Sequence, residues 1–233
     1  KFRQDNYFSR PTIKKVEKDG TRKYDKSEKV PPEIIDLFKG HRELNQNEFD
    51  HFNLTYLNNY EIYDKGKAHI HKSIPENPIF LIEKNKTQII YRPFAHKPYN
   101  KYEIFGPDKD FIFGEKQLDT TIKDNLKKFE IDEDDEPRKK KNKKPLNEVF
   151  ICFSIRDCLN LQVSHRCAIC LLNNTLDYDL YNNVLKESAD NIYVVPGNNP
   201  KQKKEAQKLA LKYLEIKIFY IPEYYSTISD YLE

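Results

Sequence analysis

EVFICFSIRDCLNLQVSHRCAICLL, residues 148–172, decides how this 233-residue chain is read. EVFICFS (148–154) is a short apolar run of β type, and IRDCLNLQV (155–163) follows it with helical spacing. CAICLL (167–172) reads as a second strand and TLDYDLYNNVLKESA (175–189) as a second helix. NIYVV (191–195) and PKQKKEAQKLALKYL (200–214) repeat the pair, IKIFYIP (216–222) is a fourth strand, and ISDYLE (228–233) begins another helix. Short apolar strands alternating with longer helices imply βαβ units and a parallel sheet. The expected fold class is therefore α/β, with a four-stranded parallel sheet flanked by helices.

Upstream the pattern is of another kind. Residues 1–30 are polar and aperiodic and read as an extended arm. VPPEIIDLFKGHRELNQNEFDHFNL (30–54) has Pro at a helix start, apolar Ile34, Ile35 and Phe38, and a stop at Gly40, which suggests two short helices. PIFLIEKNKTQIIYRPF (78–94) places two apolar runs about Lys84-Asn85-Lys86, a hairpin signal. KYEIFG (101–106) and DFIFGEKQL (110–118) read as a further strand and a capping turn. EIDEDDEPRKKKNKKP (130–145) then sets an acidic block against a basic one, the mark of a solvated loop. The organisation expected is an arm (1–30), a helical and β-rich α+β subdomain (31–118), a charged flexible insertion (119–147) and the α/β domain (148–233).

Composition bounds the function. A charged fraction of 33% and an aromatic fraction of 13% suit a soluble globular protein, and the net charge of +3 is too small to name a partner by itself. No apolar run approaches the roughly 18 residues that cross a bilayer, and KFRQDNYFSRP (1–11) lacks the apolar centre of a signal peptide. Four cysteines in a chain of this length do not make a secreted disulfide framework. A cytoplasmic, reducing setting and no membrane partner are expected. The absence of any Met marks a fragment, a processed chain or a sequence without its methionines, and the Asn, Lys and Tyr usage points to an AT-rich genome.

Four borderline or soft ligands, Cys158, His165, Cys167 and Cys170, are enough in number for structural zinc. Cys167 and Cys170 fall in an apparent interior strand, however, where alternate side chains diverge, and small buried cysteines are common core residues. His69 and His71 stand at i, i+2 with no third ligand beside them and read as surface residues. Neither a phosphate-binding P-loop nor a dinucleotide glycine fingerprint is present, and six glycines leave little room for either. Residues 83–106 interleave Lys84, Lys86, Arg92, Lys97 and Lys101 with Tyr91, Phe94, Tyr99 and Tyr102. Cations that neutralise phosphates beside rings that stack on bases are what a single-strand groove needs, although an ordinary sheet surface also collects aromatics.

The alternation from Glu148 onward resembles a Toprim domain, the Mg²⁺-binding module of bacterial-type primases, of phage and mitochondrial primase-helicases, and of type IA and II topoisomerases. FICFSIRDCLNL (150–161) lies over the family's E-G-x-x-D strand end, with Asp157 and the following leucines in register. VVPGNNPKQKKEAQKLA (194–210) lies over the D-N-D turn, and Asp230-Tyr231-Leu232 over the closing stretch. Residues 30–54, TQIIYRPF (87–94) and DFIFGEKQL (110–118) are similar to segments that precede this module in primase-helicases, so the resemblance spans about residues 30–233.

The resemblance implies carboxylates that hold Mg²⁺ for phosphoryl chemistry. Phe153 stands at the glutamate position, Ser154 at the following glycine, and Gly197 and Asn199 at the aspartates, while Asp157 is retained. The reading that follows is a catalytically degenerate member from a phage or mobile-element replication protein, with no catalytic residues, no cofactor and no metal site of its own. It would bind single-stranded DNA or an RNA–DNA primer through Arg92, Lys97, Lys101, Lys84 and Lys86, with Lys201, Lys203 and Lys204 at a helix N-terminus. A helicase or primase module, in the same chain or a partner, would complete it. The setting would be a bacterial or phage-infected cytoplasm, with a mitochondrial one left open. Two other readings stand beside it: an active Mg²⁺-dependent primase with relocated carboxylates, and a protein-interaction scaffold in a replication complex.

Overall fold

The structure, a computed structural model, describes residues 22–38, 45–64, 67–95, 101–107, 111–131, 144–172 and 175–232. It divides into two compact units, one of residues 1–34 and 49–109, the other of residues 35–48 and 110–233. No helix among the described residues is long and apolar enough to cross a membrane.

The first unit is an antiparallel sheet. Its strands are β1 (Arg22–Lys26), β2 (Leu54–Asp64), β3 (Lys67–Lys72), β4 (Ile79–Lys84), β5 (Thr87–Tyr91) and β6 (Tyr102–Phe105), ordered β1-β2-β4-β5-β6 with β3 also on β2. The expected hairpin pairs Lys84 with Thr87, and Asn85 takes the left-handed conformation (φ 55°) that closes so short a turn. Leu57, Tyr60, Ile79, Leu81, Ile90 and Phe105 form one buried cluster. The opposite pleat brings Phe80 against Phe49 (ring centroids 5.7 Å apart) and stacks Tyr91 on Tyr102 (5.2 Å). The helices expected in residues 30–54 are α1 (Pro32–Phe38) and α2 (Gln46–His51).

Strand β1 lies where an extended arm was expected. Its alternation is clear only in burial, with Arg22 and Tyr24 half-covered and Lys23, Asp25 and Lys26 exposed. Arg22 stacks over the Phe105 ring at 4.0 Å, and Tyr24 donates to Gln88. Residues 1–21 of that arm lie outside the described residues.

The second unit holds the parallel sheet. Strands β8 (Leu146–Cys152), β9 (Ala168–Leu171), β10 (Ala189–Val195) and β11 (Ile216–Ile218) run parallel in the order β11-β10-β8-β9. A fifth strand that the sequence reading did not count, β7 (Ile112–Phe113), adds antiparallel to β9. Helices α3 (Glu115–Ile131), α4 (Ile155–Val163), α5, α6 (Pro200–Lys212) and α7 (Ile228–Tyr231) complete the unit. Helix α5 starts as a π-helical stretch, Leu180–Leu185, and continues through Lys186–Ser188. Val149, Ile151, Ile169, Ile192, Val194 and Ile216 join Leu118, Leu185, Ala206 and Leu209 in one core cluster. That burial is why the strands read as apolar runs.

Helix α3 corrects the expectation of a flexible insertion over 119–147. Gly114 adopts φ 86°, with the backbone O of Ala168 2.9 Å from where a Cβ would stand, and the helix leaves from that turn. Leu118 is fully buried and Ile122 packs against the same cluster, so the helix has a core-facing stripe. Neighbouring charge blocks masked that stripe in the sequence. Residues 132–143 lie outside the described residues, and Leu146 already belongs to β8.

Candidate functional site

Chain order sets the position of the site. From β8 the chain crosses to β9 on one side, then returns to β10 on the other, so the order reverses between β8 and β10. In open α/β sheets a crevice forms at such a reversal, outside the carboxyl ends of the strands. Register pairs Val195 with Cys152 there. Phe153-Ser154 and Pro196-Gly197-Asn198-Asn199 therefore leave the sheet side by side.

Each of these residues has a structural occupation. Phe153 is buried within the core cluster. Ser154 is the N-cap of α4 in extended conformation, with no side-chain capping bond, and Asp157 is buried in that helix's first turn. Gly197 donates its N–H to Gln202 Oε1 at 2.9 Å. A Cβ on Gly197 would stand 2.8 Å from that oxygen and 2.9 Å from the Ser226 carbonyl. Asn198 donates its amide to the carbonyls of Pro222 (2.9 Å) and Tyr225, and its backbone N–H to Ser226 O at 2.9 Å. Asn199 caps α6, its Oδ1 accepting from Lys201 N at 2.9 Å, with Pro200 at the first helical position.

Of the positions that the resemblance places at the first strand end and the β10–α6 turn, Asp157 alone carries a carboxylate. No group of three His, Cys, Asp or Glu among the described residues could hold a metal ion. A hard divalent cation wants several oxygen ligands. Phe153 supplies none, Gly197 has no side chain, and the Asn199 oxygen is already engaged by the helix.

The cysteines are core residues. Cys152, Cys158 and Cys170 are buried and Cys167 half-buried, all as free thiols. Cys152 and Cys170 are register partners on β8 and β9. Burial pushes the thiols of Cys152, Cys158 and Cys170 well up, and that of Cys167 up to about 12, so none is a ready thiolate. His71 is no free surface residue either: it stacks on Tyr60, centroids 4.6 Å apart and planes within 10°.

The basic residues expected to contact phosphate separate into groups. Arg92 is 6% exposed, which removes it from the surface set. Its guanidinium donates to the Tyr60 hydroxyl and pairs with Glu103 Oε1 at 3.2 Å, while Tyr60 donates to Glu103 Oε2 at 3.2 Å. Lys84 and Lys86 flank the β4–β5 turn, half-buried and exposed, whereas Lys101 binds Arg92 N through its carbonyl at the far end of β5. A strand of five residues lies between, on the order of 15 Å. Lys97 lies outside the described residues. Lys201, Lys203 and Lys204 belong to the second unit, on the first turns of α6, with Lys201 and Lys204 exposed. Sequence reasoning missed Tyr60 and Glu103, and read Asn198 and Gln202 only as positions in the resemblance, not for the hydrogen bonds they make. Of these, only Gln202, three residues after the capping Asn199, matches a signal visible in the chain.

A mixed sheet of five strands with helices, together with an antiparallel β-rich unit, matches the fold of DNA primase catalytic cores. The chain matches the Escherichia coli primase catalytic core with a TM-score of 0.52 at 12% identity, over 86% of this chain and 69% of that one. It is also similar to the primase fragment of the bacteriophage T7 primase-helicase protein (TM-score 0.47, 9% identity, 91% and 70% covered). A third likeness is to the DnaG primase catalytic domain bound to ssDNA (0.46, 13%, 91% and 62%). No family model matches the sequence, and no curated protein matches it.

Proposed function

We propose that this chain is the Toprim-bearing core of a primase-like replication protein that binds single-stranded DNA or a primer–template and performs no metal-dependent catalysis of its own. One observation carries the reading. The carboxyl edge between β8 and β10 carries Phe153, Gly197, Asn198 and Asn199, each engaged in packing, turn closure or capping, and Asp157 is the one carboxylate at the positions the resemblance assigns to the first strand end and this turn. Phosphoryl-transfer metals need oxygen ligands that these residues do not offer.

Strand binding rests on charge. Lys86 and Lys101 in the first unit, and Lys201 and Lys203 in the second, are the contacts we propose, with Lys84 and Lys204 beside them. Lysines at the start of α6 oppose the helix dipole, an arrangement that an anion at that end would offset. A helicase or primase module, in this chain or a partner, would supply the chemistry.

Titration of the protein with MgCl₂ or MnCl₂ by calorimetry tests the first part. The expected result is no saturable site below about 1 mM. Specific micromolar binding that is lost in Asp157→Asn would favour an active enzyme with relocated carboxylates and overturn the reading.

A further inference from the structure

A groove of about 550 Å³ opens at the amino-end edge of the parallel sheet, opposite the crevice between β8 and β10. Its walls come from the second half of α3, the start of β8 and the turn after α4. The volume is within the range of small-molecule sites.

The lining is cationic and held in place. Lys128, Lys144 and Arg166 bring three positive charges, against the single carboxylate of Glu148, which pairs with Arg166. The Lys144 ammonium donates to the carbonyls of Lys186 and Ala189 (3.0 Å to the latter), so its charge is fixed rather than swinging in solvent. Asn125 is held likewise, its amide donating to Pro145 O at 3.0 Å. Lys128 is exposed at the rim.

His165 adds a backbone peculiarity. Helix α4 ends in a Schellman motif: Arg166 N–H bonds Leu161 O, and His165 N–H bonds Gln162 O, each at 2.9 Å. The left-handed residue of that motif is ordinarily Gly, yet here it is His165 at φ 59°. An L residue there costs about 1 kcal/mol. Such strain, when it places a donor-bearing ring on a cationic wall, points from geometry toward use.

We propose that this groove is a phosphate-binding site, taking the phosphate end of a nucleotide or of a 5′-phosphorylated strand. A lysine held in place, an exposed lysine at the rim and an imidazole, beside an Arg166 whose charge Glu148 answers, suit a compact oxyanion better than a neutral ligand. The inference stands apart from strand binding by the lysines named above, and its test separates the two.

Pyrophosphate, ATP and two oligonucleotides of one sequence, with and without a 5′-phosphate, are titrated against the whole chain in low salt with EDTA. Pyrophosphate is expected to bind, and Lys128→Ala/His165→Gly to weaken it by about tenfold or more. Lys208→Ala, on α6, is expected to change nothing. Because Gly suits the left-handed site, the double variant should melt no lower than the parent, which keeps it a fair comparison. Tight ATP binding identifies a free nucleotide as the ligand. A preference for the 5′-phosphorylated oligonucleotide over both ATP and its unphosphorylated twin identifies a strand end. No pyrophosphate binding up to about 1 mM, or binding indifferent to the double variant, overturns the proposal, whatever the oligonucleotides do.

Discussion

Arg92 shows how much a single side chain's surroundings decide. In the sequence it stands among lysines and tyrosines and has the look of a phosphate contact. In the fold its charge is answered by Glu103 and Tyr60, with Tyr60 also stacked on His71. Removing one partner from a buried ion pair leaves the other charge uncompensated, at a cost of about 3 kcal/mol or more. Arg92→Ala is therefore expected to lower the urea midpoint sharply. A variant that melts like the parent but loses DNA affinity would return Arg92 to the binding surface.

His71 makes the same cluster pH-sensitive. Burial, and then the Arg92 charge, lower its pKa; Glu103 opposes the shift and His69 adds to it. The sign follows from linkage: between the lowered folded value and the unfolded value of about 6.5, the unfolded chain binds more protons. His71 thus contributes stability that is present above about pH 6.5 and is lost as pH falls through the folded pKa. Melting curves from about pH 7.5 to 5 should show a falling midpoint that flattens in His71→Phe, where the stacked ring is kept. An unchanged slope in that variant would remove His71 from the account.

At the scale of the element, the β10–α6 turn combines several small devices. Asn199 caps the helix, Gln202 closes on Gly197, and Asn198 fastens the turn to residues 222–226. Asn199→Ala is expected to cost about 1 kcal/mol, the usual worth of such a cap. Gly197→Asp should cost more, on the order of 1–3 kcal/mol, because its Cβ meets the Ser226 backbone carbonyl at 2.9 Å. Chemical denaturation of both variants checks the order. A Gly197→Asp protein as stable as the parent, and newly able to bind Mg²⁺, would show the turn to be a dormant metal cradle rather than a structural lock.

For the whole molecule, the parallel sheet was legible in the chain because strands buried on both faces need no alternation to be seen. Residues 146–152 and 189–195 are mostly apolar for that reason. What stayed hidden depended on partners far away in sequence. β1 is a polar strand recognisable only beside β2, α3 shows a narrow apolar stripe beside dense charge, and β7 has two residues. The β10–α6 turn was legible as a strand end before a helix start, but the hydrogen bonds that occupy Asn198 and Asn199 were not. The amino-end groove, assembled from three separate segments, had no linear signature at all.

Charge distribution over the two units leads to the last prediction. A strand bound by lysines releases counterions, so its affinity must fall linearly on a log–log salt plot. Each phosphate contact removed should flatten the slope by about one. Anisotropy with a labelled single strand is expected to show that flattening in Lys86→Ala and, tested separately, in Lys201→Ala, one lysine from each unit. Flattening by Lys201→Ala alone would confine the strand to the second unit. An affinity indifferent to salt would leave the chain a protein-interaction scaffold on a primase fold.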